Sequence, residues 1–132
     1  MAKRYDLEER TYSFAQEVRD LIMAIPRNPD NEDYLRQLGR SSASVGANYI
    51  EANESLSRKD YINRVKICRK EVKESRYWLN LIDNYPEKEK KIKNRLVDEA
   101  TQLLRIFNKC IVNSSASIVS KRNIKSQTTN DK

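Results

Sequence analysis

Apolar positions recur along this chain at alternating intervals of three and four residues, in four runs separated by breaks. The first run puts Leu7, Thr11, Phe14, Val18, Leu21 and Ile25 on one stripe and predicts a helix from Leu7 to about Ile25. Asp6 and Glu9 offer a capping box at its start. Pro26-Arg27-Asn28-Pro29-Asp30 then turns the chain. Leu35, Leu38, Ser42, Val45, Tyr49, Ala52 and Leu56 predict a second helix from about Glu32 to Glu54. Tyr61, Val65, Cys68, Val72, Ser75, Leu79 and Ile82 predict a third, from Arg58 to Asp83. Asn84-Tyr85-Pro86 ends that one, with Pro86 suited to the first turn of the next. The fourth runs from Glu87 to about Val119 through Ile92, Leu96, Ala100, Leu103, Phe107, Cys110 or Ile111, and Ser114.

A spacing that alternates three and four suits near-parallel helix packing, and connections this short make sequential helices antiparallel neighbours. No strand-like alternation competes. The expected fold is all-α, an antiparallel up-down-up-down four-helix bundle. From Ser120 the chain turns to Ser, Thr, Asn, Gln and Lys without periodicity, so residues 1–119 are expected to form the bundle and 120–132 a disordered basic tail.

The tightest connection lies between helices two and three. Ser57-Arg58-Lys59-Asp60 has the form of a capping box, with Asp in place of the more usual Glu. With the reversal centred between Leu56 and Ser57, positions whose numbers sum to about 113 face each other. That register predicts an Arg40–Glu74 ion pair and sets Gln37 near Arg76 and Tyr77, and Ser44 opposite Arg69. Helix two is also rich in small residues: Ser41, Ser42, Ala43, Ser44, Gly46 and Ala47. Gly inside a helix costs roughly 1 kcal/mol relative to Ala. Either another helix, from this chain or a neighbouring copy, approaches closely here, or the helix tolerates a weak turn.

Composition narrows the chemistry. Charged residues are 34% and hydrophobic residues 38% of 132, with two Gly and three Pro, as in a single helical domain with a wet outer surface. No apolar run approaches the roughly 18 residues that read as a membrane span, and no membrane association is expected. The first residues lack an apolar signal core, and both Cys sit on helical stripes, so free thiols in a reducing cytoplasm are expected. Histidine is absent. That excludes Ser-His-Asp and Cys-His catalysis, His-bearing zinc sites and Glu-x-x-His di-iron sites. Glu71 and Glu74 share a face, but no second matching pair accompanies them. The sequence therefore predicts no catalytic residues, no metal and no cofactor.

Charge is unevenly spread. Residues 1–56 carry seven positive and ten negative side chains, residues 57–119 fifteen positive and eight negative, and the tail four positive and one negative. On helix three, Lys66, Arg69, Lys73 and Arg76 repeat at three, four and three residues along one face, flanked by Arg58, Lys59 and Lys70. Lys90, Lys91, Lys93 and Arg95 cluster at the start of helix four, where cations oppose the helix dipole and so do not serve the helix itself. Nucleic-acid phosphates are the natural guest of such surfaces. The plainer reading is a solvated face neutralised by the interleaved Glu71 and Glu74. Nothing in the pattern indicates base-specific readout.

Beside the apolar stripe of helix two runs a polar ribbon of Gln37, Arg40, Ser44, Asn48 and Glu51. With Glu71, Glu74, Tyr77 and Trp78 of helix three it forms a candidate oligomer interface; alternatively these are exposed pairs of little energetic weight. Tyr77 and Trp78 point about 100° apart on a helix, so one packs in the bundle while the other covers a groove or a neighbouring subunit. A cation–π or base-stacking role is open to the outer one.

Three blocks, Arg-Ser-Ser-Ala-Ser-Val-Gly-Ala-Asn-Tyr-Ile-Glu-Ala-Asn from Arg40, Ser-Arg-Lys-Asp-Tyr from Ser57 and Cys-Arg-Lys-Glu-Val-Lys-Glu-Ser-Arg-Tyr-Trp-Leu from Cys68, resemble the 23S rRNA intervening-sequence (four helix bundle) protein family. The likeness reaches back to Asp-Leu-Glu-Glu-Arg at Asp6. The resemblance implies small antiparallel bundles assembled into rings, typically pentamers, without established catalytic activity. A related group serves as basic accessory proteins to reverse transcriptases of retroelements. The resemblance thus implies self-association and RNA, DNA or a nucleic-acid enzyme as partners, with Arg40, Glu51, Glu71 and Glu74 among the matching positions. A purely structural protein-interaction module is the alternative.

Overall fold

The computed structural model describes the backbone of residues 4–130 and the side chains of residues 7–116. Four helices follow one another: α1 (Arg4–Ala24), α2 (Glu32–Asn53), α3 (Arg58–Leu81) and α4 (Glu87–Asn130). Each packs against its sequence neighbours, and α1 closes the ring against α4 along the sparsest seam. This is the expected up-down-up-down bundle, and the heptad stripes form its core. Phe14, Val18, Leu38, Val45, Val65, Val72, Leu79, Leu96, Leu103 and Phe107 are completely buried.

Close approach explains the small residues of α2, and both partners belong to this chain. Toward α3, the hydroxyls of Ser41 and Ser75 share a buried hydrogen bond of 2.9 Å. Toward α1, a Cβ at Gly46 would stand 3.1 Å from Thr11 Oγ1 and 3.4 Å from Thr11 Cβ. Bulkier side chains at these points would wedge the helices apart.

Local signals set the ends. Ser57 caps α3, its hydroxyl accepting from the Asp60 N–H at 3.1 Å. At the opposite pole the two long loops are clasped together. Buried Asn31 donates to the Pro26 carbonyl at 3.0 Å and to Asn84 Oδ1 at 2.9 Å, while Asn84 donates to the same carbonyl at 3.1 Å. Tyr85 anchors the second loop by donating to the Leu79 carbonyl at 2.6 Å.

Four expectations need correction. Leu56, placed on the α2 stripe, is 101% exposed, because α2 ends at Asn53 and Leu56 falls in the reversing turn. Helix α1 begins at Arg4, upstream of the capping box read at Asp6 and Glu9. At the start of α3 the buried residue is Ile62, and Tyr61 is only half-buried. Finally, α4 does not stop near Val119. It stays helical through Asn130, because no Pro or Gly interrupts it. At 44 residues it is nearly twice as long as the 24-residue α3 beside it.

Candidate nucleic-acid interface

Helix α3 carries acids and bases interleaved in sequence, and the fold sorts them. The acids face α2. Arg40 donates to Glu74 at 3.2 Å, the predicted pair, and its other terminal nitrogen lies 3.7 Å from Glu71 Oε2. The bases face α4. Arg69 donates to Asn108 at 3.1 Å and Arg76 to Thr101 at 3.2 Å. Lys66 and Lys73, on the same row, are exposed, as is Lys70. The register therefore does not bring Arg69 to Ser44 or Arg76 to Gln37: their guanidinium groups turn the other way, across the α3–α4 groove. Arg105, exposed and four residues beyond Thr101, adds a cation to the α4 bank. It stood alone among apolar residues in the sequence, and only the Thr101 and Asn108 contacts show which way its row faces.

The cluster at the start of α4 disperses. Lys90 pairs with Glu87 at 2.8 Å, and this contact holds the Glu87 carboxyl below its usual range. The Lys93 ammonium lies 5.9 Å above the Tyr85 ring, and Arg95 pairs with Glu17 of α1. Lys91 is exposed. Arg58 and Lys59 stand exposed at the first turn of α3, roughly 22 Å along the axis from Lys73 by the helical rise of 1.5 Å per residue. The α3 row and the α4 cluster are thus separate features, and the row is the better candidate.

On the α2–α3 side the polar ribbon forms a continuous seam. Arg40 also donates to Gln37 at 3.3 Å, Asn48 to Ser44 at 2.9 Å, and Arg64 to Asn48 at 3.1 Å. Glu51 is exposed. Glu71 is the anomaly: only 7% exposed, its Oε2 accepts no hydrogen bond from any described residue. Burial, reinforced by nearby Glu74, raises its carboxyl above the usual range, against the pull of Arg40 and Lys70. A buried carboxylate oxygen without a donor is costly.

Trp78 and Tyr77 divide as the helical geometry requires. Trp78 is half-buried and stacked on Tyr34 of α2, ring centroids 5.8 Å apart at 24°. Tyr77 lies outside, 59% exposed, and meets Trp78 nearly perpendicularly at 5.1 Å. Cys68 is buried within the core, where desolvation pushes its thiol up to about 12; Cys110 is half-buried. Among the described residues no group of three or more Cys, Asp or Glu could hold a metal ion, and no helix is long and apolar enough to cross a membrane.

The family model described as "23S rRNA-intervening sequence protein" matches residues 3–109. A crystal structure of a protein of unknown function from the S23 ribosomal protein family of Bacteroides thetaiotaomicron is similar at 25% identity, with a TM-score of 0.69. The match covers 79% of this chain and 96% of that one. No curated protein matches the sequence.

Proposed function

The chain belongs to the 23S rRNA-intervening sequence protein family, and from that premise we propose that it is a non-catalytic, oligomeric accessory protein that binds nucleic-acid phosphates along the α4-facing edge of α3. The observation that carries this reading is the spatial sorting of charge. Glu71 and Glu74, which would neutralise a solvated face, are drawn to the α2 side by Arg40. Lys66, Arg69, Lys73 and Arg76 remain on the other edge, two of them exposed and two tethered across the groove. Contacts of this kind recognise backbone charge rather than sequence.

Fluorescence anisotropy of the full chain with a short RNA duplex, over a series of salt concentrations, tests it. If all four cations meet phosphates, the logarithm of the affinity falls with the logarithm of salt at a slope of about −3 to −4. The double variant Lys66→Glu/Lys73→Glu should abolish binding at moderate salt. Absent or salt-insensitive binding overturns the proposal and leaves the structural module.

Self-association belongs to the same proposal, and the α2–α3 seam supports it. Glu71 Oε2 is a buried acceptor with no hydrogen bond from any described residue, beside an Arg40–Glu74 pair at the surface. Polar groups so placed fix register between copies. Glu74→Arg should lower the sedimentation coefficient of the assembly, a pentameric ring by the resemblance. An unchanged profile argues for another face.

A further inference from the structure

We infer that Tyr77, set beside Lys73 and Arg76, is a stacking site for an unpaired nucleobase, so that the α3 edge takes single-stranded nucleic acid in preference to duplex. The inference deepens the proposed function and rests on it. Lys73, Arg76, Tyr77, Asn80 and Leu81 line one shallow depression. Lys73, Tyr77 and Leu81 follow one another at intervals of four, and Arg76 and Asn80 form a parallel row beside them. An exposed aromatic ring, an exposed apolar side chain, an amide and two cations therefore share one patch about two turns long. A phosphate answers the cations, and a planar base answers the ring and Leu81, with the amide of Asn80 at its edge.

The ring is also held in advance. Tyr77 meets Trp78 at 81°, and Trp78 is stacked on Tyr34, so three aromatic side chains brace one another across α2 and α3. Arg76 is held through Thr101. A ring already fixed loses little freedom when a base covers it. A duplex buries its base faces in its own stack and offers this ring nothing beyond its phosphates. A second copy of the chain is the competing occupant of the patch.

The test is anisotropy of the full chain with a single-stranded RNA of about ten nucleotides, a length typical of single-strand sites, and with the matching blunt duplex. The wild type should bind the single strand at least tenfold more tightly. Tyr77→Ala should weaken the single strand about tenfold, leave the duplex within twofold and leave the salt slope unchanged. Tyr77→Phe should bind as the wild type does. Lys73→Ala should weaken both and flatten the slope. Because Tyr77 is exposed, helical circular dichroism should be unaltered and serves as the folding control. Equal losses on both nucleic acids, or none on either, overturn the stacking site while leaving phosphate binding intact. A fall in native mass of Tyr77→Ala assigns the patch to a sister copy and also overturns it. Failure of the wild type to bind either nucleic acid removes the proposed function and this inference together.

Discussion

Helix α2 carries two glycines, Gly39 and Gly46, seven residues apart, and alanine should have opposite effects at the two sites. In an unconstrained helix each Gly→Ala change stabilises by about 1 kcal/mol. At Gly39 the new methyl group would meet only Ile22 Cδ1 at 3.5 Å, an ordinary contact at the end of a flexible side chain. Most of the gain should survive, raising the melting temperature by about 4 °C for a domain of this size. At Gly46 the methyl group would meet Thr11 Oγ1 at 3.1 Å, with Thr11 Cβ at 3.4 Å and its backbone carbon at 3.6 Å. Thr11 cannot easily yield: it is fully buried, and its hydroxyl donates to the Leu7 carbonyl at 2.8 Å. Overpacking of this kind costs about 1–3 kcal/mol, which cancels or exceeds the propensity gain. Gly46→Ala should therefore range from neutral to about 2 kcal/mol destabilising, and lie at least about 1 kcal/mol below Gly39→Ala. Urea and thermal unfolding followed by circular dichroism, at one protein concentration, measure the difference. In a Thr11→Ala background the Gly46→Ala penalty should shrink. If Gly46→Ala stabilises as much as Gly39→Ala, the close approach of α1 to α2 is not what fixes glycine there.

Other outcomes follow from particular contacts. Asn31→Ala removes the bonds its side chain donates to the Pro26 carbonyl and to Asn84 and the one it accepts from the Asn28 N–H, so the urea midpoint should fall by the equivalent of about 1–3 kcal/mol. Glu71 has a folded-state carboxyl raised above the usual 4.5, so the folded state binds its proton more readily than the unfolded chain does. Its contribution is most favourable below 4.5 and is lost as pH climbs through the raised value. Glu71→Gln should accordingly gain stability relative to wild type across that window, and a flat difference between the two urea series would contradict the burial argument. With its thiol pushed up to about 12, Cys68 should resist a thiol reagent at pH 8 in the native protein, whereas half-buried Cys110 should react first. Mass spectrometry of the labelled peptides reads the order.

The periodicity of apolar residues contained nearly all of the fold, because a stripe spaced three and four has one stable use: facing other stripes. The same logic gave the Arg40–Glu74 pair, since one tight turn fixes the register of the hairpin that flanks it. What escaped the sequence depended on contacts between elements far apart in the chain. Gly46 needed Thr11, some 35 residues away, to explain it. Glu71 and Glu74 read as neutralising the bases beside them until Arg40 on one side, and Asn108 and Thr101 on the other, showed them facing away from Arg69 and Arg76. The lysines opening α4 read as one patch, yet Glu87, Tyr85 and Glu17 each claim one of its cations. Leu56 fitted its stripe by number, but the helix had already ended.

The two poles of the bundle are built differently. At one, Asn31, Asn84 and the Pro26 carbonyl rivet the two longer loops into a single lid. At the other, the short α2–α3 turn is capped by Ser57, and the Asn53 amide donates to Glu8 of α1 at 2.8 Å. The lid couples two loops whereas the turn holds one, so thermal breathing should enter at the α2–α3 turn, and amide protons near Ser55 and Arg58 should exchange before those beside the lid. A guest that grips the yielding pole, whether a strand of nucleic acid or a sister subunit, would block the path by which the whole molecule comes apart, and so protect helices it never touches.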